Sequence, residues 1–171
     1  MNNIYLIGFM GVGKSTIGKK LARELGFDFV DMDDAFEEKY KITIHLFFKK
    51  YGEELFRKLE YQLLLSTFKK KNVVVATGGG TVCYRNAMEQ MNRKGLTVYL
   101  EMPVGKIVER LKNAKRKRPL VAGKSDNELL STINERLDNR LLYYQKAKIT
   151  VDVIDIEINE LAEKIKKWRK E

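Results

Sequence analysis

Gly8-Phe9-Met10-Gly11-Val12-Gly13-Lys14-Ser15-Thr16 combines the residue types that hold a polyphosphate. Its glycines allow successive backbone N–H groups to turn inward around phosphate oxygens. Lys14 supplies a full charge toward β- and γ-phosphates, and the Ser15 hydroxyl suits a Mg²⁺ ligand. Gly11, Val12, Gly13 and Thr16 complete the nucleotide-binding run. A chance match in a glycine-rich turn is the alternative, and the flanks argue against it. An apolar run, Ile4-Tyr5-Leu6-Ile7, precedes the loop, and helical spacing at Ile17, Leu21, Ala22 and Leu25 follows it. Strand, glycine loop and helix together form a P-loop, with the positive helix end adding to the site.

Asp31-Met32-Asp33-Asp34 is a second chemical cluster. If the chain is still extended there, Asp31 and Asp33 point the same way. One carboxylate could hold the water shell of a magnesium ion, and the other could accept the proton of an attacking hydroxyl. Asp34 is read as the cap of a helix starting near Ala35. Gly78-Gly79-Gly80 directly follows a buried strand, which favours close backbone approach by a ligand over a mere turn. Arg57 could bind an anion or pair on the surface with Glu53, Glu54 or Glu60. Residues 112–126 are polar and basic, with Arg118, Pro119 and Gly123 among them. A segment of this kind could close as a lid and bring Arg118 to a transferring phosphoryl group. An idle surface loop is the alternative, and Lys115, Arg116 and Lys117 fit it. Arg110 is a candidate for the adenine side or an exposed helix position. His45 reads as packing or surface, and Cys83 as structural. Phe48 and Phe56 pack around the substrate region or in ordinary core.

The elements that would carry these groups alternate. Strands are expected at residues 4–7, 27–31, 73–76, 97–100 and 149–153. Helices are expected at 14–25, 35–40, 44–51, 53–68, 85–93, 103–111, 129–144 and 158–168. Gly26 ends the first helix, Gly52 separates two others, and Gly95 breaks a helix before a strand. Leu55, Phe56, Leu59, Leu63 and Leu64 mark the apolar side of the long helix over 53–68. Strands separated by helices mean βαβ units and a parallel sheet between helix layers. Ligands of such sheets gather at the carboxyl ends of the strands. The glycine loop, the acids and the triple glycine therefore face one crevice.

The chain of 171 residues carries 44% hydrophobic and 33% charged residues, which excludes a disordered class. Its length suits one domain, and no composition boundary divides it. A single cysteine permits no internal disulfide. With no signal pattern and no apolar run of membrane-spanning length, a cytoplasmic protein without a membrane partner is expected. The net charge of +10 suits nucleotides and nucleic acids alike. Lys69, Lys70 and Lys71 read as a solvated face.

The P-loop, Phe29-Val30-Asp31-Met32-Asp33, the run from Gly52 to Glu60, Gly78-Gly79-Gly80 and Arg118-Pro119-Leu120 together resemble the shikimate kinase family in order and spacing. The resemblance implies ATP-dependent phosphorylation of the 3-hydroxyl of shikimate, in the pathway to chorismate and aromatic amino acids. It implies a three-layer α/β/α P-loop kinase fold with a five-stranded parallel sheet in the order 2-3-1-4-5. A substrate-binding region at about 32–61, a mobile lid at about 112–126, Mg²⁺ and a monomeric state belong to the same expectation. Asp33 matches the acid at the substrate hydroxyl, and Asp31 the acid near Mg²⁺. Arg57 matches a carboxylate-binding arginine, Gly79 and Gly80 backbone contacts to substrate, and Arg118 the lid arginine at the phosphates.

A further family arginine lies four residues before a tyrosine. Arg140 with Tyr144 fits that spacing, whereas counting from Tyr143 and Ala147 places Asn139 there. Arg140 is preferred, because asparagine cannot supply a second cation for a carboxylate. The family's proline before that tyrosine is absent, with Leu142 or Leu141 in its place. Two other functions compete with this reading. One is a related P-loop kinase for gluconate or a nucleoside monophosphate, against which the triple glycine and the Phe56-Arg57…Glu60 pattern argue. The other is a nucleic-acid-binding P-loop protein, against which the absence of interleaved basic and aromatic residues argues.

Overall fold

In the computed structural model, which describes residues 3–114 and 123–168, the sheet has five parallel strands. They are β1 (Asn3–Ile7), β2 (Asp28–Asp31), β3 (Val73–Ala76), β4 (Gly95–Glu101) and β5 (Ile149–Asp152). Their spatial order is β2-β3-β1-β4-β5, as the resemblance implies. Every pairing is parallel, with Leu6 opposite Ala76 on one side and Val98 on the other.

Both faces of the central strand are buried, so from Ile4 to Ile7 its sequence is apolar rather than alternating. Ile4 and Leu6 enter one core with α1 (Lys14–Leu25), α5 (Val104–Lys112) and α7 (Ile158–Trp168). Tyr5 and Ile7 enter the opposite core with Leu64 of α3 (Ile44–Thr67) and Met88 and Met91 of α4 (Ala87–Lys94). The helix α6 (Asp126–Tyr144) gives Leu129 and Ile133 to the first core and Tyr144 to the second. A third cluster, Phe36, Phe47 and Phe56, joins α2 (Met32–Tyr40) to α3.

Several boundaries differ from expectation for identifiable reasons. The helix α2 starts at Met32, not near Ala35, because Asp31 caps it: that carboxylate accepts from the backbone N–H groups of Asp33 and Asp34. Asp34 is therefore not the cap, and Asp33 lies in a first helical turn rather than on an extended chain. Gly52, at φ 82° and ψ 169°, interrupts α3 and separates its two expected parts. Leu55 faces solvent, whereas Glu60 is buried, so the apolar side of the second part is shifted from the expected one. The stretch after Gly80 makes a 3-10 turn, Thr81–Cys83, before α4 begins at Ala87. The helix α6 begins ahead of its expected start, because Ser125 and Glu128 form a reciprocal capping box.

Gly95 opens β4 rather than breaking the chain before it. It lies against β1, and a Cβ there would run into the Asn3 carbonyl oxygen. Backbone cannot move aside as a flexible side-chain tip can. Gly95→Ala should therefore destabilise the protein by about 1–3 kcal/mol, the usual cost of overpacking. A urea titration should show a lower midpoint with an unchanged slope.

Candidate active site

The glycine loop leaves β1 at Ile7 and ends at Gly13, immediately before α1. Gly13 has φ 100°, a left-handed conformation that strains any residue with a Cβ. No side chain caps the start of α1 and its first turn carries no acid, which leaves the positive end of the helix to the loop. Lys14 arches across the loop, its Nζ donating to the Gly8 and Phe9 carbonyls at 2.8 Å each. Val12 is buried, so what it offers a ligand is backbone. Its carbonyl accepts from Arg110 Nη1 at 3.2 Å, and this brings exposed Arg110 to the rim of the loop. Gly11 lies within the loop, and Ser15 and Thr16 are exposed in the first turn of α1.

The Ser15 hydroxyl donates to Asp31 Oδ2. Asp31 thus links the loop after β1 to the end of β2 while its other oxygen caps α2. This cap holds the start of α2, and with it Asp33, toward the crevice. Asp33 Oδ1 is 3.5 Å from where a Gly78 Cβ would stand.

The triple glycine is the meeting point of the remaining groups. A Cβ on Gly80 would lie 2.6 Å from Arg57 Nη2, so only bare backbone admits the guanidinium. On Gly79 it would lie 3.4 Å from Arg140 Nη1 and equally far from the Met10 backbone nitrogen of the P-loop. On Gly78 it would collide with Glu60 Oε1. Arg57 and Arg140, from α3 and α6, thus approach one short loop that also touches the nucleotide loop.

Arg57 is held by Glu60 at 2.8 Å and by Glu53 at 3.1 Å. Burial works against its charge, but these two carboxylates outweigh that cost and raise its pKa above the ordinary arginine value. One side chain thus makes both ion pairs and lies against Gly80. Its guanidinium also lies 5.2 Å from the Phe56 ring centre, and Phe56 packs on Phe48 at 4.6 Å. Of the two registers weighed for the second arginine, Arg140 is the one at Gly79, and Asn139 is exposed. Arg140 lies 5.5 Å from the Phe9 ring centre. Arg118 and residues 115–122 as a whole lie outside the described residues. At their borders, Lys112 of α5 pairs with Asp126 of α6 at 2.8 Å.

Three groups had no individual function in the sequence reading. Glu60 is buried and divides its oxygens between Arg57 and the Thr81 hydroxyl, the latter at 2.7 Å. Its spacing from Arg57 by three residues on a helix was a usable signal. Thr81 follows the triple glycine directly, but nothing local announces its partner. The Tyr144 hydroxyl donates to the Gly79 carbonyl at 2.6 Å, a contact between distant parts of the chain. His45 is exposed, as one of its two readings held. Burial pushes the Cys83 thiol pKa up, against the lowering effect of Arg140 and Arg57, which suits a structural cysteine.

Among the described residues no helix is long and apolar enough to cross a membrane. The shikimate kinase family model matches residues 10–170. A shikimate kinase of Phocaeicola vulgatus is 45% identical over 148 residues, covering 86% of this chain and 85% of that one. The crystal structure of shikimate kinase from Bacteroides thetaiotaomicron superposes with a TM-score of 0.92 at 35% identity, covering 99% of each chain. Shikimate kinase from Acinetobacter baumannii in complex with shikimate gives a TM-score of 0.83 at 34% identity, covering 99% of this chain and 93% of that one. Matched along nearly its whole length in sequence and in fold, the chain belongs to the shikimate kinase family.

Proposed function

We propose that this protein transfers the γ-phosphoryl group of ATP to the 3-hydroxyl of shikimate, acting as a single-domain monomer with MgATP. The observation that carries the reading is the convergence of Arg57, Arg140 and Asp33 on the triple glycine beside the P-loop. An acceptor with a carboxylate and several hydroxyls calls for cations at one end and a hydrogen-bond acceptor at the other. Arg57 and Arg140 supply the first, and Asp33 supplies the second. The backbone of Gly79 and Gly80 lines the space between them.

The chain's own groups then divide the work. The backbone of residues 11–16 and Lys14 hold the polyphosphate, with Arg110 on the adenine side. Asp33 orients the 3-hydroxyl and takes its proton as the oxygen bonds to the γ-phosphorus. The bond from that phosphorus to the β–γ bridging oxygen breaks, and its electron pair leaves with ADP. Arg118, assigned from the family motif, is the cation of the lid at about 112–126 that offsets charge on the moving phosphoryl group. Most of the catalysis is positioning and electrostatics rather than covalent chemistry.

Ser15 and Asp31 offer two adjacent oxygen donors, the hard ligand type that suits Mg²⁺ beside nucleotide phosphates. The ion would supply charge neutralisation across the β- and γ-phosphates. The nucleic-acid alternative rests on charge alone. The crevice groups are those of a small-anion site, so we assign no nucleic-acid partner.

Purified protein should release ADP from ATP in a shikimate-dependent manner, with gluconate and nucleoside monophosphates failing to replace shikimate. Equal turnover with either of those acceptors would overturn the assignment. Asp33→Asn should lower kcat by about 100-fold or more, the usual worth of a general base. Full turnover by that variant would remove Asp33 from the proton-transfer step. Arg57→Ala should raise the KM for shikimate roughly 10- to 100-fold, as expected from losing about 1.5–3 kcal/mol of charge-assisted hydrogen bonding. The KM for ATP should change far less, and steady-state kinetics on both substrates would separate the two.

A further inference from the structure

Tyr144 is fully buried, yet it lies at the end of α6 next to the crevice. Its ring stacks on Tyr99 of β4, with centroids 5.0 Å apart and planes 11° from parallel. Its hydroxyl donates to the Gly79 carbonyl at 2.6 Å. Tyr99 is itself paired with Ile7, the last residue before the P-loop. The phenol is thus anchored by the sheet and hydrogen-bonded to the loop between the two arginines.

Helical geometry ties Arg140 to the same anchor. Arg140 and Tyr144 are four residues apart and share one face of α6. Both reach Gly79: Tyr144 through the carbonyl, Arg140 by an approach of 3.4 Å to the missing Cβ position. The Phe9 ring bounds the Arg140 guanidinium from the P-loop side at 5.5 Å. A peptide unit is planar, so fixing the Gly79 carbonyl also fixes the Gly80 N–H across the same bond. Glycine backbone has no side chain to restrain it, so an external hydrogen bond to this loop carries more of its order than at an ordinary residue.

We propose that Tyr144 is a positioning residue for acceptor binding: its hydroxyl sets the Gly79–Gly80 peptide plane and registers Arg140 against it. Tyr144 does not touch the reacting atoms. It acts on the carboxylate-bearing acceptor through two other groups, and its own hydrogen bond goes to Gly79 rather than to the nucleotide loop. The inference rests on the proposed shikimate kinase activity, and the wild-type protein tests that activity separately.

Tyr144→Phe keeps the ring and its stack and removes only the hydroxyl. Calorimetry should show a shikimate Kd raised about fivefold to tenfold, the worth of one buried hydrogen bond of about 1 kcal/mol. The ADP Kd should stay within twofold. In steady state the KM for shikimate should rise more than kcat falls. In the free protein labelled with [1-¹³C]glycine, the Gly79 carbonyl resonance should move. Tyr99→Phe removes the hydroxyl of the other ring in the stack and serves as the control for loss of a neighbouring phenol, with shikimate affinity expected within twofold of wild type. An unchanged shikimate Kd in Tyr144→Phe would overturn the proposal. So would parallel weakening of shikimate and ADP binding, or an equal effect from Tyr99→Phe, because either is the signature of general packing. Wild-type protein that neither binds nor phosphorylates shikimate would instead refute the activity. The glycine resonance would then still report whether Tyr144 orders the loop.

Discussion

The buried ion pair between Arg57 and Glu60 sets the shape of the crevice. A carboxylate as deeply buried as Glu60 must have its charge and its lone pairs answered, or the fold bears a cost of several kcal/mol. Arg57 answers one oxygen and Thr81 the other. The pair can occupy this place only because the loop after β3 has no Cβ at Gly78 or Gly80. The triple glycine and the ion pair therefore require each other. Side chains on the loop would expel the pair, and loss of one partner would leave the other charged and buried. The arrangement also holds the guanidinium in a fixed orientation against Gly80.

Around this pair, the charged groups of the crevice come from several elements. The acids Asp31 and Asp33 belong to the end of β2 and the start of α2, while Lys14 belongs to the P-loop and α1. Arg57 and Arg140 come from α3 and α6. The parallel sheet makes this possible, since it delivers the loops after β1, β2 and β3 to one edge. Asp31 links two of these loops through Ser15 and the cap of α2, so the metal-ligand candidates are also structural fasteners.

Features encoded over a few neighbouring residues were readable from the chain. The P-loop, the bounds of α1 and β3, and the break at Gly52 all follow from local spacing and glycine chemistry. The sheet order came from the family resemblance rather than from periodicity. Where capping competed, adjacent acids hid the outcome: Asp31 and Asp34 are both good caps, and the contact with Ser15 sits on Asp31. Gly95 looked like a helix breaker because its contact with β1 is tertiary. Leu55 looked buried by helical phase, but its face of the second part of α3 points to solvent. Arg140 could be chosen by the charge argument, whereas the contact that seats it lies on a loop far away in sequence. Tyr144 was legible only as a spacing marker, because its hydroxyl acts across that same distance.

The ionisable groups around the crevice favour fixed charge over proton exchange. Glu60 and Glu53 reinforce the Arg57 cation against its burial. Burial pushes the Tyr99 phenol up to about 12 and raises that of Tyr144 as well, so both remain neutral at physiological pH. The Cys83 thiol is likewise held protonated, and it adds no competing nucleophile beside the arginines. A reaction that mainly redistributes negative charge over phosphoryl oxygens gains most from such a setting. Cations that do not titrate and donors that do not ionise need little reorganisation as charge moves. Asp33 stands among these fixed charges, held at the start of a helix that Asp31 caps. In this site the fold's contribution to chemistry is the placement of charges that are already present.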